Sequence, residues 1–344
     1  MIGGLYMINL KTTLKNKKNL FIVPVIMFLT LFIVSTGVSA SSDNTVKIAH
    51  SSWIGFYPLD LAEEKGFFKD YGVNVQIKDI ESKSDSKSAL AAGKIQGIAT
   101  SLDTNVLSAA SGLKIQNVLA LDTSTGADGL VGKKSIKNFK NLKGKTVALD
   151  TTGGASYFWF NYMLQKNNMK LSDIKVESMD SGAAGSAFVA GKVDAAMTWQ
   201  PWLSKAKATK NGHVVMSSKS SPGIIVDTLG LSTSFIKKHP EQVKGIIKGW
   251  YKALAYMKSD PKDAYKIMSK KAGITASKLK TEMTTQIKLY DKKGNKKYFG
   301  TKKNKGNIYK ISKVASNLWY TSKISDKKAN INKLTNPKFV NAIK

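Results

Sequence analysis

One internal repeat constrains the fold of this 344-residue chain more than any other feature of its sequence. The segment SALAAGKIQGIATSLD at residues 88–103 aligns with SAFVAGKVDAAMTWQP at residues 186–201. The match extends backwards, because TVKIAHSS (45–52) and TVALDTTG (146–153) both predict a strand that ends in a hydroxyl-rich turn. Self-similarity of this kind indicates a repeated architectural unit. Each unit alternates strands with helices, so the sequence predicts two α/β lobes with parallel sheets.

The strand ends of the two units carry the residue types of a ligand site. In open α/β sheets, ligands bind beyond the carboxyl ends of the strands. If the two lobes face each other, all four strand ends converge on one cleft. These strand ends are His50-Ser51-Ser52-Trp53, Ser101-Leu102-Asp103, Thr151-Thr152-Gly153-Gly154 and Trp199-Gln200.

The segments between the units predict two crossings from lobe to lobe. The run GLV at residues 129–131 is typical of the first crossing, and PGIIVDTLGLS at 222–232 of the second. Apolar residues then recur at helical spacing over 243–257, which predicts a long helix. The predicted organisation is a first lobe at 45–130, a second lobe at 131–226, and a return to the first lobe with a helical tail at 227–344.

The N-terminus has the order of a secretory signal. Basic residues precede an apolar run at 20–34, and small residues follow before a polar segment. We therefore predict a signal peptide at residues 1–40, cleaved after Ala40, and a mature protein that works outside the cytoplasmic membrane. An uncleaved N-terminal anchor is the alternative, although the apolar run is short of the roughly 20 residues of a membrane span.

The composition excludes several classes of function. The chain contains no cysteine and three histidines without metal-ligand spacing, so neither a thiol nucleophile nor a metal site is expected, and no cofactor is predicted. None of the common hydrolase, nucleotide-binding or zinc-protease motifs occurs. The net charge of +31 comes from lysine alone. The absence of arginine argues against specific nucleic-acid recognition, and leaves a weak attraction to an anionic cell surface.

The loop TTGGAS at residues 151–156 is suited to holding a small oxyanion. Gly153 and Gly154 allow the backbone to approach a ligand, while Thr151, Thr152 and Ser156 offer hydroxyls. The helix that follows presents unpaired N–H groups and a partial positive charge. The alternative is that the hydroxyls only cap this helix.

Four tryptophans lie near the predicted cleft. Trp53 and Trp199 occupy matching points after a strand of each unit, so we expect both to face the ligand. Trp159 and Trp202 lie at helical positions, where packing between helix and sheet is the expected role.

Asp103 and Asp128 are the carboxylates nearest the predicted cleft. Helix capping or a hydrogen bond at the crossing is one interpretation of each. If they contact the ligand, they imply an amine or ammonium group on it, and two tryptophans with a carboxylate also suit a quaternary ammonium through cation–π contact.

Several segments resemble the extracellular substrate-binding proteins of ABC importers, of the nitrate, sulfonate and taurine type. They follow one another in the family's order over nearly all of the mature chain. These segments are WIGFYPLDLAEEKGFFKDYGVNV, LDTSTGADGLV, NLKGKTVALD, AFVAGKVDAAMTWQPWL and SPGIIVDTLGLS.

The resemblance implies a two-lobe, type II periplasmic-binding-protein-like fold that closes on a small ligand, without a chemical step. It implies a membrane permease with a cytoplasmic ATPase as partner, and a monomer. By matched motif, the ligand would contact Trp53, Ser101, Asp103, Asp128, the TTGGAS loop, Trp199 and Gln200.

Two departures from the family pattern bear on this interpretation. The family often has glutamate at the position of Gln200, and the neutral amide favours an anionic, sulfonate-like ligand over an amine or a thiamine-precursor pyrimidine. The lipobox cysteine is also missing. The competing classes are pyrimidine-synthesising enzymes of the same fold, which carry a cysteine-rich segment, and a lysine-rich adhesion protein.

Overall fold

The computed structural model describes residues 45–344, so the predicted signal peptide at 1–40 lies outside the described residues. Within the described part of the chain, no helix is long and apolar enough to cross a membrane. In chain order the strands are β1 (Val46–His50), β2 (Val75–Asp79), β3 (Gly97–Ser101), β4 (Ile115–Ser124), β5 (Asp128–Lys133), β6 (Thr146–Leu149), β7 (Lys175–Ser178), β8 (Ala195–Trp199), β9 (Gly212–Ser217), β10 (Val226–Ser232) and β11 (Ile287–Leu289).

Helices connect these strands and form most of the C-terminal third. In chain order they are α1 (Tyr57–Glu64), α2 (Lys83–Ala91), α3 (Leu102–Ala110), α4 (Ala155–Lys166), α5 (Ser181–Val189), α6 (Trp202–Lys207), α7 (Thr233–Lys238), α8 (Pro240–Ser259), α9 (Pro261–Ala272), α10 (Ala276–Gln286), α11 (Lys292–Phe299), α12 (Asn307–Thr321), α13 (Ile331–Leu334) and α14 (Lys338–Ala342).

The strands form two sheets, one in each lobe, with matching orders. The first is β11-β4-β10-β3-β1-β2 and the second is β7-β6-β8-β5-β9. The pairs β1–β2, β1–β3, β6–β7 and β6–β8 are parallel, as the repeat predicts. Each sheet is nevertheless mixed, because β10 and β5 run antiparallel to their neighbours. These are the strands that enter each lobe from the other one.

The two crossings are bonded to each other where they pass between the lobes. The Ser124 hydroxyl contacts the Ser218 hydroxyl at 2.7 Å, and the Ser124 backbone N–H donates to the Ile225 carbonyl. Gly126, with a φ of 144°, donates its N–H to Ser218 Oγ. The run GLV at 129–131 lies inside β5 rather than in the crossing, because its apolar residues pair with β8 and β9.

The C-terminal third returns to the first lobe, and its helices bury their apolar faces there. The long helix predicted over 243–257 is α8, and all six apolar residues at its helical spacing are buried: Val243, Ile246, Ile247, Trp250, Leu254 and Met257. Helix α12 packs against α3 of the first lobe and against α4 of the second. One helix of the tail therefore contacts both lobes.

Candidate functional site

Strand ends from both lobes meet around one small cavity. Its volume is about 40 Å³, which is room for a few water-sized groups. The first lobe and the crossings provide Ser51, Trp53, Phe56, Lys83, Thr100, Ser101, Ile225 and Asp227, and the second lobe provides Asp128, Ala155 and Trp199.

A larger groove adjoins this cavity, and it too is lined by both lobes. Its volume is about 770 Å³. The groove and the cavity share Ser51, Lys83 and Trp199. The two spaces therefore adjoin at these three residues.

Asp128 begins β5 and lines the cavity with a buried carboxyl group. Its backbone is fixed by pairing with Trp199 in β8 and by the Ser124 hydroxyl. Its Oδ2 atom is buried without a hydrogen-bond partner. Burial raises the pKa of Asp128 to about 7, with a smaller contribution from the negative charge of Asp103, against a hydrogen bond from Ser124. An acceptor is thus available to a ligand.

Asp122 and Asp227 form a second carboxyl feature beside the cavity. They face each other on β4 and β10, and their side chains are hydrogen-bonded to each other. Trp53 Nε1 donates to both Asp122 oxygens, at 3.3 and 3.2 Å. Burial raises the pKa of Asp122 to about 7 and that of Asp227 well above its usual range, the latter also through the charge of Asp122. A hydrogen bond between two carboxyl groups requires a proton on one of them, so the pair shares a proton.

Asp103 lies in the first turn of α3, buried and with Oδ2 unpartnered. Burial raises the pKa of its carboxyl to about 6, against a hydrogen bond from Ser101 and the charge of Lys83. It is not among the cavity-lining residues, and its carbonyl accepts the Trp319 indole N–H at 3.0 Å. Asp103 thus contributes charge close to the site and anchors α12.

The TTGGAS loop places the start of α4 at the cavity. Gly153 and Gly154 both have a φ of 104°, and a Cβ at Gly154 would collide with the Lys83 side chain. Ala155 lines the cavity, so the unpaired N–H groups of the first helical turn lie close to it. Ser156 instead accepts a hydrogen bond from Ser181 and is buried in the second lobe.

Polar contacts across the cleft hold the two lobes together. Lys83 of α2 forms an ion pair with Asp150, which follows β6 in the other lobe, and Thr152 donates to the same carboxylate. On the opposite side, the Gln200 amide donates to Gln286 at 2.9 Å. These contacts describe a closed arrangement of the lobes.

An aromatic contact adds to this closure. The Trp319 ring of α12 stacks on Tyr157 and packs against Phe158, both in α4, with centroid distances of 5.9 Å. Because Trp319 is also bonded to Asp103, a single side chain connects the starts of α3 and α4.

The predicted site residues divide into three groups. Trp53, Ser101, Asp128 and Trp199 line the cavity. Ser52, bonded to Glu81, and Thr152 line the outer groove. The others support the site from behind through bonds within the protein or close backbone packing: Asp103, Thr151, Gly153, Gly154, Ser156 and Gln200.

Gln200 is the clearest difference from the sequence-based interpretation. Its amide oxygen accepts from the Ser204 N–H, and its nitrogen donates to Gln286. Its side chain is not among those lining the cavity. The absence of a negative charge at residue 200 therefore does not favour an anionic ligand.

Sequence reasoning missed Phe56, Lys83, Asp122 and Asp227. Asp122 and Asp227 had a usable signal, because each is an acidic residue directly after an apolar run, VLAL at 118–121 and IIV at 224–226. Lys83 had none, since it is one of 54 basic residues in the chain and only the fold brings it to the cleft.

Potential metal ligands converge at one point within residues 45–344, at His50, Asp60 and Asp79. His50 Nε2 lies 2.9 Å from Asp60, and Lys271 lies beside both carboxylates. Burial lowers the pKa of His50, but the contact with Asp60 outweighs it and the pKa is raised. None of these side chains lines the cavity. The Lys271 ammonium group already compensates the negative charge of Asp60 and Asp79.

Fold and site together define a two-lobe periplasmic-binding-protein fold with an interlobe cavity. The family model described as "NMT1/THI5 like" matches residues 53–264, well over half of the chain. The chain belongs to the NMT1/THI5-like family.

Two kinds of relative share this family's sequence pattern. A Bacillus subtilis protein whose name describes binding of aliphatic sulfonates is 25% identical over 263 residues, which is 74% of this chain and 78% of that protein. The Saccharomyces cerevisiae 4-amino-5-hydroxymethyl-2-methylpyrimidine phosphate synthase THI13 is 25% identical over 61% of this chain and 65% of its own length.

Solved structures agree on the fold. The aliphatic sulphonate binding protein SsuA of Escherichia coli superposes with a TM-score of 0.69 at 18% identity, covering 85% of this chain and 97% of that one. The nitrate-binding protein NrtA of Synechocystis PCC 6803 gives a TM-score of 0.69 at 14% identity, covering 86% and 87%. At this identity the likeness establishes the architecture, and the ligand has to be argued from the cavity itself.

Proposed function

We propose that this chain is the extracytoplasmic substrate-binding protein of an ABC importer. It captures a small solute between its lobes and delivers it to a membrane permease that is driven by a cytoplasmic ATPase. The observation that supports this role is the cavity, because side chains of both lobes line it and neither lobe encloses it alone. Such a site closes when the lobes approach each other around the ligand.

Closure gives the permease a shape to recognise. The Lys83–Asp150 ion pair, the Gln200–Gln286 bond and the Trp319 contacts all join one lobe to the other. They form only when the lobes are together. The ligand-bound protein therefore differs from the open protein over a wide surface, and a permease that binds the closed form receives loaded protein.

Binding without a chemical step agrees with the residues of the cavity. The pyrimidine synthases among the relatives raise the alternative of an enzyme. The chain has no cysteine, and none of its three histidines is among the residues that line the cavity. The lining consists of hydroxyls, aromatic rings, carboxyls and one lysine, which are groups that orient and hold a solute.

Two ligand classes compete for this site. A sulfonate, nitrate or taurine-like solute is favoured by the names of the relatives, by the N–H groups at the start of α4, and by Lys83. An amine, quaternary ammonium or pyrimidine is favoured by Asp128 and Asp227. The capture role is the same for both.

Thermal unfolding of the full chain with two ligand panels tests the capture role. One panel holds methanesulfonate, taurine, nitrate and bicarbonate, and the other holds choline, betaine, ethanolamine and 4-amino-5-hydroxymethyl-2-methylpyrimidine. A ligand at 100 times its Kd stabilises the fold by about 2.7 kcal/mol. We expect a rise in Tm that Trp199→Ala abolishes and that Tyr320→Ala, an exposed aromatic control, leaves in place.

The same experiment, repeated at low and at physiological salt, separates ligand capture from adhesion to an anionic surface. Binding through surface lysines weakens steeply between low and physiological salt, whereas a ligand enclosed between the lobes is retained. A Tm unchanged by both panels, together with scattering curves that show no closure, would contradict the proposed role.

A further inference from the structure

The immediate surroundings of the cavity are acidic, in a chain whose net charge is +31. Four carboxyl groups are buried in or beside the site: Asp103, Asp122, Asp128 and Asp227. Lys83 is the one basic side chain among the lining residues, and Asp150 already binds it. Burying acidic groups is unfavourable unless they are compensated, and one oxygen each of Asp103 and Asp128 has no hydrogen-bond partner, so this point favours a ligand that compensates negative charge.

Asp128 provides the most specific sign of that ligand. It is 1% exposed, it lines the cavity, and its Oδ2 has no hydrogen-bond partner. Leaving such an acceptor unsatisfied costs its full desolvation. A ligand that donates an N–H to Oδ2 of the ionised carboxylate removes that penalty, whereas an oxyanion could be accepted there only by the protonated carboxyl.

Aromatic rings occupy the rest of the wall. Trp53, Phe56 and Trp199 line the cavity. The Trp53 indole N–H is already bonded to Asp122, so its ring is held in a fixed orientation and its donor is not available to an anion. Rings beside carboxylates attract organic cations, because the ring face carries partial negative charge.

The arrangement is unlike that of a metal site. Within residues 45–344, carboxylate and imidazole ligands come close enough to surround an ion only at His50, Asp60 and Asp79, which do not line the cavity. The carboxyls of the cleft are instead spread over several strands.

We propose that the captured solute is a small organic cation, whose charged nitrogen is bound by Asp128 and Asp227 between the rings of Trp53 and Trp199. This inference rests on the proposed function, since it names the ligand class of the same cleft. Asp128 is the specificity-determining residue.

Titration calorimetry on the full chain tests this assignment. The probes are the organic cations choline, ethanolamine and ethylammonium, against methanesulfonate and nitrate as anions without an amine. Choline has no N–H, so it separates the contribution of charge from that of a hydrogen bond to Asp128. We expect at least one probe of the first set to bind, with affinity at least tenfold lower in Asp128→Asn. The exposed Asp326→Asn is the matched control and keeps the original affinity. Circular dichroism establishes that both variants are folded.

Each outcome decides the proposal. Failure of all three nitrogen compounds to bind, or binding that Asp128→Asn leaves unchanged, overturns the cation assignment. Binding of methanesulfonate or nitrate that Trp199→Ala abolishes also overturns it, but leaves the capture function intact. The function and the ligand class are therefore tested separately.

Discussion

The two lobes follow the same strand and helix order, yet they contribute different chemistry to the site. The first lobe provides Asp122, Asp227 and nearby Asp103, together with Trp53. The second provides Asp128 at the end of the first crossing, Asp150, which pairs with Lys83, and Trp199 with the start of α4. A duplicated unit has thus diverged into a lobe that carries a hydrogen-bonded carboxyl pair and a lobe that brings a single buried carboxyl to face it.

The two lobes also differ in size. The first sheet has six strands and receives α8–α14 from the tail, whereas the second has five strands and no tail helices of its own. The C-terminal tail connects the lobes through Trp319. Stability should therefore depend on the first lobe and its tail, and ligand affinity on contacts made when the second lobe closes.

Trp319→Ala should have the largest effect. The side chain is 1% exposed, stacks on Tyr157 and bonds to Asp103. Truncation of a buried tryptophan costs about 3–5 kcal/mol, and here it also removes the aromatic contact between the lobes. Urea unfolding should show this loss and a second transition as the lobes separate. Trp202→Ala, in the open groove, should cost less than half as much. Equal losses of stability in the two variants would contradict a role for Trp319 in joining the lobes.

The Lys83–Asp150 ion pair is the next largest test of closure. The Asp150 side chain is 5% exposed and Lys83 is 23% exposed. Lys83→Met leaves the buried Asp150 carboxylate without its cation. A hydrogen bond to a charged group contributes about 1.5–3 kcal/mol, and the variant loses it. We expect ligand affinity to fall by at least tenfold, with the lobes more open by small-angle scattering.

A double-mutant cycle isolates this contact. Lys83→Met with Asp150→Asn should recover part of the loss, because no unpaired charge remains. Lys133 and Asp194 form an ion pair within the second lobe, and the corresponding cycle there should leave ligand affinity unchanged. Additive losses at Lys83 and Asp150 would contradict a closing role.

The pH dependence of binding compares the two ligand classes directly. The carboxyl of Asp128 has a pKa raised to about 7 by burial, and its charge interacts with those of Asp103 of α3, Asp122 of β4 and Asp227 of β10, while Lys83 of α2 lines the same cavity. A cation needs the carboxylate form. Its affinity should rise by up to about tenfold per pH unit below 7 and level off above 8.

The sign is opposite for an oxyanion, which would accept hydrogen bonds from protonated carboxyls and bind more weakly as pH rises. Ligand-free stability offers an independent check. The carboxyl pKa of Asp128 is higher in the folded than in the unfolded state, so the folded protein binds more protons and stability should fall between pH 4 and 7. A cation affinity that is constant from pH 5.5 to 8 would contradict the role of these carboxyls.

The fold could be predicted from the sequence further than the site could. The repeat and the apolar spacing of α8 are local patterns, and both correspond to observed elements. The site depends on side chains brought together over long sequence distances. Asp122 and Asp227 face each other on neighbouring strands, but in the sequence the whole second lobe lies between these two strands. No local pattern predicts that pairing.

Gln200 shows why position near a cleft is not contact with it. The sequence places Gln200 directly after Trp199, at a strand end, and the prediction of an anionic ligand used its neutral charge. The backbone then turns away at Pro201, so that the amide bonds to Ser204 and Gln286. Adjacent residues at a strand end point in different directions, which spacing alone does not resolve.

Gln200→Ala should therefore have the smallest effect. It removes one hydrogen bond between the lobes and one to the start of α6, and a neutral hydrogen bond contributes about 0.5–1.5 kcal/mol. Ligand affinity should fall by less than tenfold, with no change in preference between cations and anions, because Gln200 is not among the lining residues. Gln286→Ala, which removes only the bond between the lobes, should give an equal or smaller loss, and the double variant should lose no more than Gln200→Ala alone. A reversal of charge preference in Gln200→Glu, measured by calorimetry with choline and methanesulfonate, would place residue 200 at the ligand. Without that reversal, the choice of ligand charge lies with Asp128 and the carboxyl pair of the first lobe, and the second lobe contributes closure at residue 200.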